Sequence, residues 1–307
     1  MKLDELKDKK VLILGLGKEG LSTLTFLKRL FSDKEIGIAD NKTLKELGGG
    51  TQRIITKNTK LKLHLGRNYQ KSLNLYDVVF RSPGIRFPKS TTAKITSQTK
   101  IFLEAHRDKI IGITGTKGKT TTTSLIYKIF KDANLNVELV GNIGNPPFDY
   151  IDKIKNTDFF IFELSSFQLQ DLQKSPHIAV FLNLYKEHLD YHRGFENYRK
   201  AKANIVKWQG KKDFVVYNCD SKPVDEIVRK AKSSKVPFSI NIKLQSGTYI
   251  KDDWVIHNEE KILKTTDTKL KGRFNLNNIL AATAVAKILN IPNHSITSSV
   301  KSFQPVN

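Results

Sequence analysis

Gly115, Gly118, Lys119 and Thr120 stand close together in GITGTKGKTTTTS, Gly112 to Ser124, and residues of these types at this spacing handle phosphate. An apolar run, KIIGIT, leads in, and a helical pattern, TTTTSLIYKIF, leads out with Leu125, Ile126, Ile129 and Phe130 on one face. Strand, glycine turn and helix start in that order gather backbone N–H groups and the positive end of a helix around an anion. Gly115, Thr116, Lys117, Gly118, Lys119, Thr120 and Thr121 are therefore the candidate nucleotide contacts. The Lys119 ammonium suits the β- and γ-phosphates, and the Thr120 hydroxyl suits a magnesium ion. Ile113 stands where the longer Walker pattern has glycine, so the match is to the shorter form GTxGK[ST]. ATP and Mg2+ are the expected cofactors.

Glu163 follows DFFIF, at the carboxyl end of an expected strand, where α/β sheets place their ligands and where a carboxylate suits magnesium. In FENYRKAKANI the helical period puts Tyr198, Ala201, Ile205 and Trp208 on one stripe, with Lys202 beside it and pointing partly inward. Such a lysine ordinarily lies along apolar surface with its amine in water. GLGKEG, Gly15 to Gly20, is a full GxGxxG between strand and helix, and Asp40 ends the second strand about twenty residues on. Alone, these residues read as an NAD site.

The short loop preceded by ITGT resembles the Mur ligase family and its folate-polyglutamate and cyanophycin relatives. The resemblance implies that ATP phosphorylates a carboxylate to an acyl phosphate, which an amine then converts to an amide. ELSSFQL, Glu163 to Leu169, is similar to the MurD-type members, which add D-glutamate to UDP-N-acetylmuramoyl-L-alanine. Carried over, Glu163 is a magnesium ligand, while Ser165 and Gln168 face the muramoyl substrate. NLYKEHLDYHRGFENYRKAKANI resembles the family's histidine-aspartate segment and lysine-bearing helix. It implies His188 at the metal and substrate, and Lys202 carbamylated and bound to magnesium, so that Lys119, His188 and Lys202 form the catalytic set. GRFNLNNILAA resembles GxHNxxNxxAA, whose amides read adenine. Asn275 and Asn278 take those places, Phe274 replaces the usual histidine, and helix capping by Asn275 is the bland alternative. GNIGNPPFD implies a substrate contact at Asn142. The same resemblance gives GLGKEG to the uridine diphosphate tail, through Leu16, Gly17 and Asp40, with Ser82, Pro83 and Gly84 of SPG near the diphosphate.

The elements that must position these groups alternate. KKVLILG, GLSTLTFLKRL, EIGIAD and YDVVF open a βαβ pattern, and a second cycle runs from KIIGIT through NVELVG, DFFIFEL, HIAVFLNL and DFVVYN to VPFSI. The fold class is thus α/β: a Rossmann-like parallel-sheet domain, residues 1–98, then a central P-loop ATPase-like domain, 99–307, with the boundary in the polar stretch STTAKITSQTK. Asn241 to Lys271 reads as a small antiparallel hairpin region, and NLNNILAATAVAKIL as the last helix.

Composition narrows the class. The chain has 307 residues, 39% of them hydrophobic, and a net charge of +22 carried mostly by lysines spread along its length. That spread lacks the basic-aromatic stripe of a nucleic-acid binder and suits polyanionic small molecules. No apolar run reaches the roughly 18 residues of a membrane span, so a cytoplasmic protein that does not bind membrane is expected; the resemblance implies small-molecule substrates, and with no obligate protein partner evident a monomer is expected. Cys219, the single cysteine, cannot form an internal disulfide. MurD-like enzymes carry a third domain for the amino acid and ATP closure, and SFQPVN falls where the linker to it is expected, which implies weak or no ligation by these residues alone. Two rivals stand beside this reading: an NAD-binding oxidoreductase or nucleotide-binding regulator, and a basic nucleic-acid ATPase.

Overall fold

Strands buried on both faces need apolar residues at consecutive positions, and VLIL, IGIAD and IIGIT meet that demand. A computed structural model describes residues 3–58 and 60–304, which leaves the last three residues of SFQPVN outside the described part. Two compact units emerge. One holds the described residues up to Phe102 together with Pro146–Asp152, and the other holds Leu103–Asn145 and Lys153 onward.

The first unit contains β1 (Val11–Leu14), α1 (Lys18–Leu30), β2 (Ile36–Asp40), α2 (Gly49–Lys57), β3 (Leu61–Leu65), β4 (Val78–Arg81) and β5 (Lys94–Thr96). Its sheet runs β3-β2-β1-β4-β5 and is parallel throughout. The sequence showed no pattern for β3, whose LKLHL alternates lysine and histidine with leucine at an edge, or for β5. β5 lies inside the polar stretch expected to be a boundary, and α3 (Gln98–His106) follows it directly. Phe148 enters this unit's core from far along the chain, its ring 4.4 Å from that of Phe26. Ser22 Oγ donates to Asp149 Oδ1 at 2.6 Å beside it.

The second unit begins with β6 (Ile110–Thr114), α4 (Lys119–Asp132), β7 (Val137–Gly141) and β8 (Phe159–Glu163). After the one-turn helix α5 (Ser166–Leu169) come β9 (Ile178–Phe181), a second one-turn helix α6 (Leu189–His192), α7 (Phe195–Lys207), β10 (Phe214–Asn218), α8 (Lys222–Val228) and β11 (Ser234–Ser239). β12 (Thr248–Lys251), β13 (Trp254–His257) and β14 (Glu260–Lys264) precede α9 (Arg273–Ile288) and α10 (Asn293–Ser302). The sheet order is β14-β13-β12-β11-β10-β9-β6-β8-β7. It is parallel as far as β12, which pairs with β11, and antiparallel in the last three strands. The expected hairpin is therefore a three-stranded extension of the main sheet. α9 is buried from Asn278 to Ala286, and its alanines let it sit close to α4 in the largest core cluster. α10, with the polar sequence NHSITSSVKS, had no visible period, yet Ile296 and Val300 anchor it to that core.

Candidate functional site

The glycine turn between β6 and α4 has the geometry its residues demand. Gly118 caps α4 at φ 85°, a left-handed value that favours glycine, and a Cβ there would lie 2.4 Å from Asn278 Oδ1. The amides of Lys119, Thr120 and Thr121 open the helix, where no intrahelical acceptor exists. Lys119 folds back, its Nζ donating to the carbonyls of Gly115 at 3.1 Å and Thr116 at 3.0 Å. Burial holds its amine below the usual lysine range, against the opposing pull of Glu163 and Glu187.

Glu163 ends β8, next to β6, and is fully buried. Its Oε2 accepts the Thr120 hydroxyl at 2.9 Å and its Oε1 accepts Asn142 Nδ2 at 2.7 Å, so one carboxylate joins three of the expected site residues. A hydroxyl and a carboxylate in contact, beside the phosphate loop, make an oxygen pair that fits magnesium, an ion held by one or two carboxylates plus substrate phosphates. Among the described residues no group of three or more His, Cys, Asp or Glu gathers as a metal cage. Thr120 and Glu163 are thus the expected ligands that the fold brings together.

Lys202 is more deeply placed than its helical position suggested: only 2% of it is exposed, not the partial burial expected. Its Nζ donates to Gly115 O at 2.8 Å and Thr114 Oγ1 at 3.1 Å, and lies 5.2 Å from the centre of the Tyr198 ring. Burial first, then the charge of Lys119, brings its amine down to about 7. Two lysine amines therefore meet at one carbonyl, that of Gly115. The apolar stripe of α7 holds for Tyr198, Ala201 and Ile205 but not for Trp208. Trp208 ends the helix 44% exposed, its indole N–H turned to the carbonyl of Leu172.

His188 shares none of these bonds. It adopts φ 53° at the start of α6, its ring 5.0 Å from Phe167 and its Nε2 3.8 Å from Glu187 Oε2. The buried His192, which the sequence did not single out, meets Ser166 Oγ at 2.9 Å and stacks on Phe167. Ser165 and Gln168 form a capping box on α5, so their polar atoms are directed at each other. Asn278 is buried and accepts the Thr122 hydroxyl at 3.1 Å, while its Nδ2 donates to Asn275 Oδ1 at 3.1 Å. Asn275 Nδ2 in turn donates to Lys271 O, and Phe274 stands 70% exposed beside it.

Asn183, just after β9, was not foreseen. Its Oδ1 accepts the amides of Thr116 at 3.0 Å and Lys117 at 2.8 Å, and its Nδ2 donates to Lys117 O at 2.9 Å. The only available signal was a lone amide at the carboxyl end of the apolar run IAVFL. Thr116 Oγ1 further accepts from the Tyr185 amide and lies 3.0 Å from the Tyr198 hydroxyl. Tyr185 also borders a cleft of about 390 Å³ with Asn218, Asp220, Asn241 and Asn277.

In the first unit, Gly15, Asp40 and Ser82 converge at the carboxyl ends of β1, β2 and β4. Asp40 Oδ2 accepts the Leu16 amide at 2.7 Å and Oδ1 the Lys42 amide at 2.9 Å, tying the glycine turn to β2. Ser82 Oγ donates to Gly15 O at 2.9 Å, and Pro83 and Gly84 continue that turn. Gly20 makes the closest approach, since a Cβ there would lie 1.9 Å from Gly15 O. Gly17 begins α1 as its N-cap.

Comparison with known proteins bears on both units. A family model described as "Mur ligase middle domain" matches residues 113–286, and one described as "Mur ligase MurD-like, N-terminal domain" matches residues 9–101. The UDP-N-acetylmuramoylalanine--D-glutamate ligase of Acetivibrio thermocellus is 37% identical over 291 residues, which is 91% of this chain and 62% of the relative. The enzyme of the same name from Oceanobacillus iheyensis is 35% identical over 96% of this chain and 67% of its own. The chain thus spans about 62% of the length of the first of these relatives. The crystal structure of UDP-N-acetylmuramate:L-alanyl-gamma-D-glutamyl-meso-diaminopimelate ligase from Neisseria meningitides superposes with a TM-score of 0.64 at 17% identity, covering 97% of this chain and 99% of that one. That likeness is one of fold.

Proposed function

The chain belongs to the Mur ligase family, and on that premise we propose that it carries the ATP- and uridine-substrate-binding parts of a ligase that adds D-glutamate to UDP-N-acetylmuramoyl-L-alanine in cytoplasmic peptidoglycan synthesis. The observation that carries the reading is the contact between Thr120 of the phosphate loop and the buried Glu163. It supports the reading because a hydroxyl and a carboxylate, an oxygen pair that suits magnesium, meet beside the glycine turn proposed to take the phosphates of ATP.

In this reading the amides that open α4 and the Lys119 ammonium hold the β- and γ-phosphates. Thr120 and Glu163 would hold Mg2+, which supplies positive charge against the phosphate oxygens. The alanyl carboxylate of the substrate attacks the γ-phosphorus and ADP leaves. The amine of D-glutamate then attacks the acyl carbon, phosphate departs, and the amine loses a proton. Lys119, released from its carbonyl contacts, offers charge where the phosphoryl group is transferred. His188, Asn142, Ser165 and Gln168 serve the muramoyl end, and Asn275 and Asn278 the adenine end. Leu16, Gly17, Asp40, Ser82, Pro83 and Gly84 serve the uridine diphosphate.

Lys202 is suited to carbamylation. An amine at about 7 is largely neutral at slightly alkaline pH. A neutral amine adds CO2 with loss of one proton, and the product carries oxygen in place of a buried ammonium. The oxidoreductase reading of GLGKEG is not favoured, because the matches over both units are to ligases. Among the described residues no helix is long and apolar enough to cross a membrane.

Substrate labelled with 18O in the alanyl carboxylate tests the proposal. With Mg·ATP, whatever phosphate these residues release, however slowly, should carry the label. Phosphate released without label would contradict it, because water rather than the carboxylate would then have taken the phosphoryl group.

A further inference from the structure

A side-chain amide that accepts from the N–H and donates to the carbonyl of the same residue copies the two-point pairing of a neighbouring strand. Asn183 does this to Lys117, accepting its N–H at 2.8 Å and donating to its carbonyl at 2.9 Å. The same Oδ1 takes the Thr116 amide at 3.0 Å, and the Asn183 carbonyl takes it as well at 3.1 Å. Every backbone polar group from the Thr116 amide to the Lys117 amide is thereby tied down: Thr116 O receives Lys119 Nζ, and both amides point at Asn183.

From this we infer that Asn183 is a positioning residue for the nucleotide, and that it divides the labour of the loop. The amides of Thr116 and Lys117 face the end of β9 and serve the fold. The amides that remain for phosphate are those that open α4, from Gly118 onward. Without the side chain, the tip at Lys117, whose own side chain is exposed, loses its second strand. Its two amides are then free to turn toward the phosphate pocket or to collapse into it. Gly115 lies against the same support: a Cβ there would meet Leu182 Cβ at 2.9 Å. The end of β9 therefore underlies the loop along its first half. A side chain of this kind controls affinity for the polyphosphate and leaves the nucleoside alone.

The inference rests on the reading that this loop binds ATP, and the experiment separates the two. Calorimetric titrations with Mg·ATP and with AMP are run on the wild-type chain and on Lys119→Ala, Asn183→Leu and Asn183→Ser. Amide hydrogen exchange is followed at Thr116 and Lys117. Loss of the three hydrogen bonds of the Asn183 side chain, each of ordinary strength, corresponds to a weakening of about tenfold or more. Both Asn183 variants should weaken ATP by that factor, leave AMP within about twofold, and speed exchange at the two amides. If Asn183→Leu does not fold, Asn183→Ser, which shortens the side chain without adding an apolar group, decides alone. Wild-type ATP affinity in a folded Asn183 variant overturns the inference. Equal loss of ATP and AMP overturns it as well, because the role would then be general support of the fold. Lys119→Ala binding ATP like the wild type would instead overturn the reading of the loop itself.

Discussion

At the scale of single residues, the site is a set of buried charges held by neutral partners. Glu163 has a hydroxyl and an amide on its two oxygens, and Lys202 has a hydroxyl and a carbonyl. Burying an ammonium costs free energy that neutral partners repay only in part, so its amine falls from 10.5 to about 7. The folded state then binds fewer protons at this site than the unfolded chain between those two values, and stability rises with pH across that window. The penalty is fully present below about 7 and gone above 10.5. In bicarbonate-free buffer, denaturant midpoints of the wild type should therefore gain on those of Lys202→Met between pH 7 and pH 9; an unchanging difference would show that the amine stays charged. For function, Lys202→Ala should lose most phosphoryl transfer and recover part of it with acetate, whose carboxylate can replace that of a carbamate. Full activity in Lys202→Ala would remove the residue from the mechanism. Residues of this kind were legible because their types and spacing are local. Gly115 to Thr120 lie on one turn, and Lys202 lies four positions from Tyr198. Asn183 was not legible, because its partners are 66 and 67 positions away and an asparagine after a strand is common.

At the scale of elements, sequence reading succeeded where the apolar runs were continuous and failed where polarity interrupted them. β1, β6 and β8 are almost wholly apolar and were recognised. β3 and β5 contain lysines at sheet edges, where one side is open to solvent, and went unseen. The return of Pro146–Asp152 to the first unit depends on Phe148, whose partners Phe26 and Phe80 share no local pattern with it. The turn between β1 and α1 is the element most sensitive to a small change. In Gly20→Ala the new methyl would sit 1.9 Å from Gly15 O, and backbone cannot yield as a flexible side chain can. Overpacking of this kind costs roughly 1–3 kcal/mol or more. A lowered denaturant midpoint is expected, together with weaker uridine-substrate binding and ATP binding closer to that of the wild type. An unshifted midpoint would mean that the turn moves aside freely.

At the scale of the whole molecule, one unit with a parallel sheet and one with a mixed sheet each present a glycine turn at the carboxyl ends of parallel strands, the place where such sheets bind ligands. The first turn is stitched by Asp40 and Ser82, the second by Asn183, Tyr198 and Lys202. The net charge of +22, carried by lysines spread along the sequence, favours polyanionic ligands. The first turn is proposed to serve a uridine diphosphate sugar and the second to serve ATP. Calorimetric titration of the chain with UDP-N-acetylmuramoyl-L-alanine, Mg·ATP and NADH tests it most directly. The first two should bind, each at one site and each in the presence of the other, and NADH should release no heat of binding. Saturable binding of NADH with none of the uridine substrate would contradict it.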